Sequence, residues 1–287
     1  MTNELAVRDE GALAVLISGD NASGVDELPT LRVNARDMDK EGNEYPVGVF
    51  GLYDTESEGV IYGDIKNTKI LMHGYQVREY NEPRQEYASE TVFFYNGRED
   101  NVEDTAGGYR CGKMKSKLVK LLDDEDPVRD EQRKKKFYRV VWGITDIKGV
   151  HNLKDKKKHT ATNVPFIMRL TGNAFMPMCD YIEELEKVGG KSAIANTYTD
   201  LTIEKRVGSS QSYYLAIPTQ GKESSLSDDE IKTIYAIDET RTAWNDKVMG
   251  IWRKKNNMAA TVAVAEAIEV NAVVIDPEMD DEIPFRA

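Results

Sequence analysis

From Leu31 to Asn96 the chain alternates short apolar runs with turn formers. Leu31 to Asn34, Val47 to Tyr53, Val60 to Ile65, Thr68 to Tyr80 and Thr91 to Asn96 are rich in β-branched and aromatic residues. Glu41-Gly42-Asn43 and Asp54 to Gly59 punctuate them. Such side chains suit a half-buried pleated surface, so the pattern predicts five strands. Gly48, Gly51, Gly63 and Gly74 inside the runs mark bends or close backbone approach. Short strands with internal glycines predict a strongly curved antiparallel sheet or a small barrel.

Beyond Asn96 the texture changes. Gly97 to Gly108 reads as a polar loop, Gly112 to Leu122 as a helix, and Asp123 to Lys136 as a solvated loop or helix extension. Phe137 to Thr145 is the clearest strand, and a charged loop, Lys148 to His159, leads to another at Val164 to Thr171. After Gly172, residues Phe175, Met178, Cys179, Ile182 and Leu185 recur at helical spacing, with Pro177 in the first turn where its missing N–H does no harm. Thr199 to Val207 and Ser212 to Ile217 flank Gly208 to Gln211, a hairpin signal. Ser227 to Glu230 has the spacing of a capping box. The apolar stripe Ile231, Ile234, Tyr235, Trp244, Val248, Ile251 and Trp252 then predicts one long helix, or two with a break near Asp238.

The chain therefore divides into a mobile arm (1–27), a β core (28–220), a helical segment (221–257), and a linker or partner-induced helix that ends in an acidic tail (258–287). The expected class is mainly β, α+β: an elaborated antiparallel barrel or sheet with inserted helices and a C-terminal helix. No apolar run reaches the roughly 20 residues of a membrane helix, and Ala12 to Ile17 is too short and lacks the basic flank of a secretory signal, so a cytoplasmic location is expected.

Charge sharpens this picture. The net charge is −12, yet Arg110 to Lys158 holds 16 Lys and Arg against 8 Asp and Glu, a local +8. From Glu266 to Ala287 seven acids face one base. A basic segment answered by an acidic tail is the distribution expected of an anion-binding module.

Catalytic motifs are weak by comparison. Gly107 to Lys113 has phosphate-loop spacing, but Met114 stands where Ser or Thr is required and no strand pattern precedes it. Gly189-Gly190-Lys191-Ser192 reads as a helix stop. Cys111 and Cys179, and His73, His151 and His159, lack metal-site spacing, so reduced thiols and no cofactor are expected. Asp64, Asp104 and Asp146 sit in no constrained motif.

Aromatics interleaved with bases carry the positive signal, since unpaired bases stack on flat side chains and cations follow the phosphates. The candidates are Tyr75, Arg78 and Tyr80; Tyr95 and Arg98; Tyr109, Arg110, Lys113, Lys115 and Lys117; Arg133, Lys134, Lys135 and Lys136; and Tyr138 and Arg139. Alternation puts Tyr138 and Trp142 on one face and Arg139 on the other, with Trp142 expected in the core. For the lysine clusters a solvated helix face or loop is the competing reading.

The tail tip, Asp280, Asp281, Glu282, Ile283, Pro284 and Phe285, resembles the acidic Ile-Pro-Phe tips of bacterial and phage single-stranded-DNA-binding proteins. Gly107 to Lys113 and Asn173 to Met178 accompany it within a β-rich core. The resemblance implies an OB-like barrel, non-catalytic and largely sequence-independent binding of single-stranded DNA in replication or recombination, and recruitment of replication proteins by the tail. Here Arg286 and Ala287 follow Phe285, so the apolar hook would dock as an internal segment. Two other classes stay open, a polymerase-binding transcription or host-takeover adaptor and a metal-dependent nuclease.

Overall fold

The runs Val60 to Ile65 and Thr68 to Tyr80 form one bent strand, and the sheet is built on it. The computed structural model describes residues 28–37, 44–55, 58–81, 83–84, 86–152, 157–208 and 212–272, with side chains as far as Asn257. In chain order the elements are β1 (Arg32–Asn34), β2 (Val49–Asp54), β3 (Gly59–Asn81), β4 (Glu86–Glu90), α1 (Ser116–Val119), α2 (Pro127–Lys134), β5 (Lys135–His151), β6 (Lys158–Leu170), α3 (Phe175–Gly189), β7 (Thr197–Val207), β8 (Ser212–Glu223) and α4 (Asp228–Ala272). The protein is mainly β with inserted helices and a long C-terminal helix, as its pattern predicts.

The sheet follows β1-β2-β3-β5-β6, antiparallel throughout, and β4 and the β7–β8 hairpin join it at β3. It is an open meander where an OB-like barrel was one expectation. In a five-strand meander the first and last strands run the same way, so any approach between them must be parallel. A parallel bridge from Thr30 to Ile167 makes that approach, with Leu31 N–H on the Ile167 carbonyl at 2.9 Å.

β3 stays one strand because its turn-like residues form a bulge. Asn67 has φ +50°, and the register against β5 skips between Lys66 and Lys69 and again between Ile70 and Met72. The bulge is pinned by Asn67 Nδ2 on Asp146 Oδ2 at 2.7 Å and by the Thr68 and Thr145 hydroxyls at 2.7 Å. Skipped residues change which face a side chain meets. β3 thus supplies Ile61 and Ile70 to one core and Leu71 and Val77 to another. The first core lies beneath Met178, Tyr181, Ile182 and Leu185 of α3. The second, with Val140, Trp142 and Ile144, lies beneath Phe93, Phe94, Val102 and Cys111 and the α4 residues Ile237, Trp244 and Val248.

Four local expectations change. Thr91 to Asn96 makes isolated bridges instead of a strand, Thr91 with Asp104 and Phe94 with Tyr75, while Val92, Phe93 and Phe94 are all buried. Gly112 to Leu122 gives only a 3-10 turn at Arg110–Gly112 and the single turn of α1, since Gly112 at φ +64° breaks the helix. Asp123 to Lys136 contains α2, started by Asp126 Oδ1 accepting from Val128 N–H with Pro127 at the first position. The charged stretch Lys148 to His159 is largely strand, with β5 reaching His151 and β6 starting at Lys158.

The helix stop and the hairpin form as expected. Gly190 at φ +77° donates to Glu186 O, and Val207 pairs with Ser212. α4 is continuous through Asp238 and includes 258–272, where a linker or induced helix was expected. The arm, residues 1–27, and the tail tip, Asp280 to Phe285, lie outside the described residues. No helix among the described residues is long and apolar enough to cross a membrane.

α4 is seated by a buried charge. Lys69, 1% exposed, reaches Glu230 Oε1 at 2.8 Å and the Ser225 carbonyl at 3.2 Å, with the Tyr198 ring 5.0 Å away. Glu230 also closes the capping box, accepting from Ser227 N–H at 2.7 Å while its own N–H meets Ser227 Oγ at 3.2 Å. Burial pushes the Glu230 carboxyl up, but the hydrogen bonds from Lys69 and Ser227 outweigh it and hold the group below its usual range. Removing one partner strands the other in a desolvated site. Lys69→Ala should therefore cost about 3–5 kcal/mol in urea unfolding, and Lys69→Met combined with Glu230→Gln clearly less; equal losses in the two variants would refute the pairing argument.

Candidate nucleic-acid interface

The strand aromatics and arginines serve the fold. Tyr75 stacks on Phe137 at 5.4 Å and 17°, lies under the Arg139 guanidinium at 4.5 Å, and packs against Gly97, where an added Cβ would sit 3.0 Å from its ring. Arg139 is 4% exposed. Arg78 is buried, ion-paired with Glu90, and stacked 3.4 Å over the Tyr87 ring. Tyr80 meets Tyr87 edge-on at 5.5 Å. Tyr138 is half-buried, and burial, with Tyr87 beside it, pushes its hydroxyl up to about 12. Trp142 is in the core, as alternation predicts. These residues are held in place with their polar atoms or ring faces turned to neighbours.

Several of the candidates that remain on the surface lie on or next to the loop Asp104 to Met114. Asp104 is fully buried, and its carboxylate accepts from the N–H groups of Ala106 at 2.9 Å, Gly108 at 3.0 Å and Cys111 at 2.7 Å. The chain's own carboxylate thus fills the amide nest that a phosphate loop would offer to a nucleotide. Four further loop amides are engaged, Gly107 N–H on Asp104 O, Arg110 N–H on Val102 O, Gly112 N–H on Tyr109 O and Lys113 N–H on Arg110 O. This is the physical reason that the Gly107 to Lys113 spacing is not a phosphate loop. Asp146, engaged by Asn67 and by Asn163 N–H, and Asp64, opposite Lys148, do not converge with Asp104 on one site.

The loop's geometry turns side chains outward. Arg110 and Cys111 both sit at left-handed φ, +53° and +52°, between Gly107 at +92° and Gly112 at +64°. Two adjacent non-glycine residues in that region store strain. The result is Tyr109 standing 46% exposed while Cys111 is buried. Arg110 folds back over the Phe137 ring at 5.2 Å and donates to Glu99 O at 2.6 Å.

Gln132, unremarked in the sequence, fastens α2 to this loop. Its Nε2 donates to Gly112 O at 3.0 Å, its Oε1 accepts from Met114 N–H at 2.8 Å, and its carbonyl accepts from Lys113 Nζ at 2.7 Å. Lys113 is thereby held near Lys135 and Lys136, which open β5. Burial first, then the charges of Lys136 and Lys135, hold the Lys113 ammonium below its usual pKa. Lys134 at the end of α2 and Lys117 of α1 are exposed. Among the described residues, Lys113, Lys117, Lys134, Lys135 and Lys136 form no ion pair. Lys115 is tied to Asp100 at 2.7 Å and Arg133 to Asp130 at 2.7 Å. Tyr95, 56% exposed, lies apart with Arg241 at 5.3 Å over its ring, and Arg98 is exposed nearby.

The structure so brings Tyr109, Arg110, Lys113, Lys135 and Lys136 together and leaves Tyr75, Arg78, Tyr80, Tyr138 and Arg139 to packing. It also adds α4, which the sequence pattern assigns to the core. Trp252 is half-buried, with Nε1 donating to Gly108 O at 3.0 Å and its ring 5.9 Å from Tyr109. Asn256 donates to Gly107 O at 3.0 Å. The signal was available in Arg253, Lys254 and Lys255, which follow the tryptophan directly and mark the edge of the buried stripe. The chain matches no protein-family model, no curated protein and no solved structure.

Behind the site, Arg139 Nη2 lies 3.0 Å from His73 Nδ1, and His73 Nε2 lies 3.0 Å from Glu186 Oε1. A guanidinium only donates, so Nδ1 accepts and the neutral ring donates from Nε2 to Glu186. Burial first, then Arg139, holds the His73 pKa below its usual value against the opposing pull of Glu186. The unfolded chain takes up this proton near pH 6.5, roughly the free value. The unfolded state binds more protons below that point, so stability is complete above it and is lost as pH falls toward the folded pKa. Between about pH 7.5 and 5.5, His73→Gln should lose less stability in urea unfolding than the parent chain; parallel declines would contradict the neutral assignment.

Proposed function

We propose that this protein binds single-stranded DNA, without catalysis and largely without regard to sequence, in replication or recombination. The observation that carries the reading is the crowding of Lys113, Lys135 and Lys136, next to exposed Lys134, none of which forms an ion pair among the described residues. Like charges held together at a cost are relieved by a polyanion. A phosphate backbone supplies repeated charges at a spacing that one small anion does not, and Tyr109, on the same loop as Lys113, offers an exposed ring to an unpaired base. The chain as a whole carries −12, so the attraction is local to this end of the sheet. The acidic tail, Asp280 to Phe285, is the proposed recruiter of replication partners or a competitor for the basic surface, and the cytoplasm is the proposed location.

Fluorescence anisotropy of labelled oligo-dT, titrated at about 50 and about 200 mM salt, tests this. Affinity should fall steeply with salt, and Lys134→Ala or Lys136→Ala should each reduce the slope of log K against log salt by about 0.7 if each contacts one phosphate of a single strand. No binding at the lower salt, or shortening of the oligonucleotide with magnesium, ends the reading. Deleting residues 276–287 should leave DNA binding intact or tighter and abolish partner recruitment.

A further inference from the structure

We infer that Trp252 of α4 and Tyr109 of the strained loop form the base-stacking subsite of this surface, so that α4 is part of the nucleic-acid interface. The inference rests on the proposed function and adds the residues that meet the bases. Stacking needs an aromatic face that the fold has not already covered. Tyr75 has lost its faces to Phe137, Arg139 and Gly97, and Tyr87 is covered by Arg78. Of the three tryptophans, Trp142 and Trp244 are buried at 3% and 7% exposure. Trp252 is the exception.

Its position is fixed from two sides. The indole N–H is spent on Gly108 O, so the ring is oriented by its edge, and it is half-buried where the other two tryptophans are enclosed. Asn256, one turn on, holds Gly107 O, and the Lys255 stem packs so closely on Gly107 that an added Cβ would sit 3.0 Å away. Tyr109 is held out by the left-handed pair that follows it and by the Asp104 carboxylate beneath. The two rings meet at 51°, so neither lies flat over the other and masks it. Arg253, Lys254 and Lys255, all exposed, follow Trp252 directly along α4. Backbone strain at Arg110 and Cys111, otherwise unexplained, is what a loop built to present one ring requires.

The test uses the full chain with two readouts, anisotropy of labelled oligo-dT and intrinsic tryptophan fluorescence with unlabelled oligo-dT. The oligonucleotide should quench the parent chain. Trp252→Phe should abolish the quench and weaken binding severalfold, Trp252→Ala should weaken it about tenfold, and Tyr109→Ala should do the same. The salt slope should stay unchanged in all three, because stacking releases no counterions. Circular dichroism and urea unfolding of Tyr109→Ala, an exposed position, guard against loss of fold. Quenching that survives in Trp252→Phe, or unchanged affinity in both alanine variants, overturns the subsite while leaving the proposed function standing. A parent chain that binds no oligonucleotide at low salt overturns both.

Discussion

The ion pair between Lys69 and Glu230 is the contact on which the rest of the molecule turns. Lys69 is buried because the bulge at Asn67 redirects β3, and an ammonium in such a place must be paired or lose its charge. Glu230 answers it from the first turn of α4 and closes the capping box with the same carboxylate. One interaction thus fixes where α4 begins and the direction it takes. Trp252 lies 22 residues further on, about 33 Å along a straight helix. Setting its indole against the Gly108 carbonyl therefore depends on an anchor at the far end, with Trp244 and Val248 packed on Phe93 and Trp142 as the intermediate guide.

The basic end follows a different economy. A loop with two left-handed non-glycine residues would relax if its amides were free, and the buried Asp104 prevents this with three charge-assisted hydrogen bonds. Gln132 then links that loop to α2, so Lys113 cannot swing away from Lys135 and Lys136. Neutral and anionic residues inside the fold hold cations together on its surface. Asp100 answers Arg110 and Lys115, while Lys113 is held by a polar contact beneath it, and neither it nor Lys135 or Lys136 forms an ion pair among the described residues. In a chain of net −12, binding of a phosphate strand as proposed would need that segregation, since evenly mixed charge would give the strand nothing to approach.

Much of the β architecture was legible because it depends on period-two alternation and local turn chemistry. The β7–β8 hairpin, the Gly190 stop and the Ser227 capping box are set by residues a few positions apart. The merging of two runs into β3 was not legible, because a bulge and a turn use the same residues, and only the ladder against β5 with the Asn67–Asp146 bond distinguishes them. α2 was left open between a solvated loop and a helix extension although Asp126-Pro127 is a start signal, since its sequence is mostly charged and shows no apolar stripe. Within the site, Tyr109, Lys113, Lys135 and Lys136 were named from composition. Gln132 and Trp252 were not, because each acts through a partner 18 or more positions away in sequence.

The division among the aromatics has a physical cause. A ring on a central strand of this sheet faces one of two covered layers, α3 on one side and α4 with the 91–112 segment on the other. Interleaving aromatic and basic residues on such strands produces internal cation–π pairs, as Arg139 over Tyr75 and Arg78 over Tyr87 show. Where the covering layers end, at the Asp104 to Met114 loop and near Trp252 of α4, rings are held and still reach the surface. Under the proposed reading, a sheet covered on both faces places its ligand contacts at its rim, where Tyr109, Trp252 and the lysines without ion pairs are found.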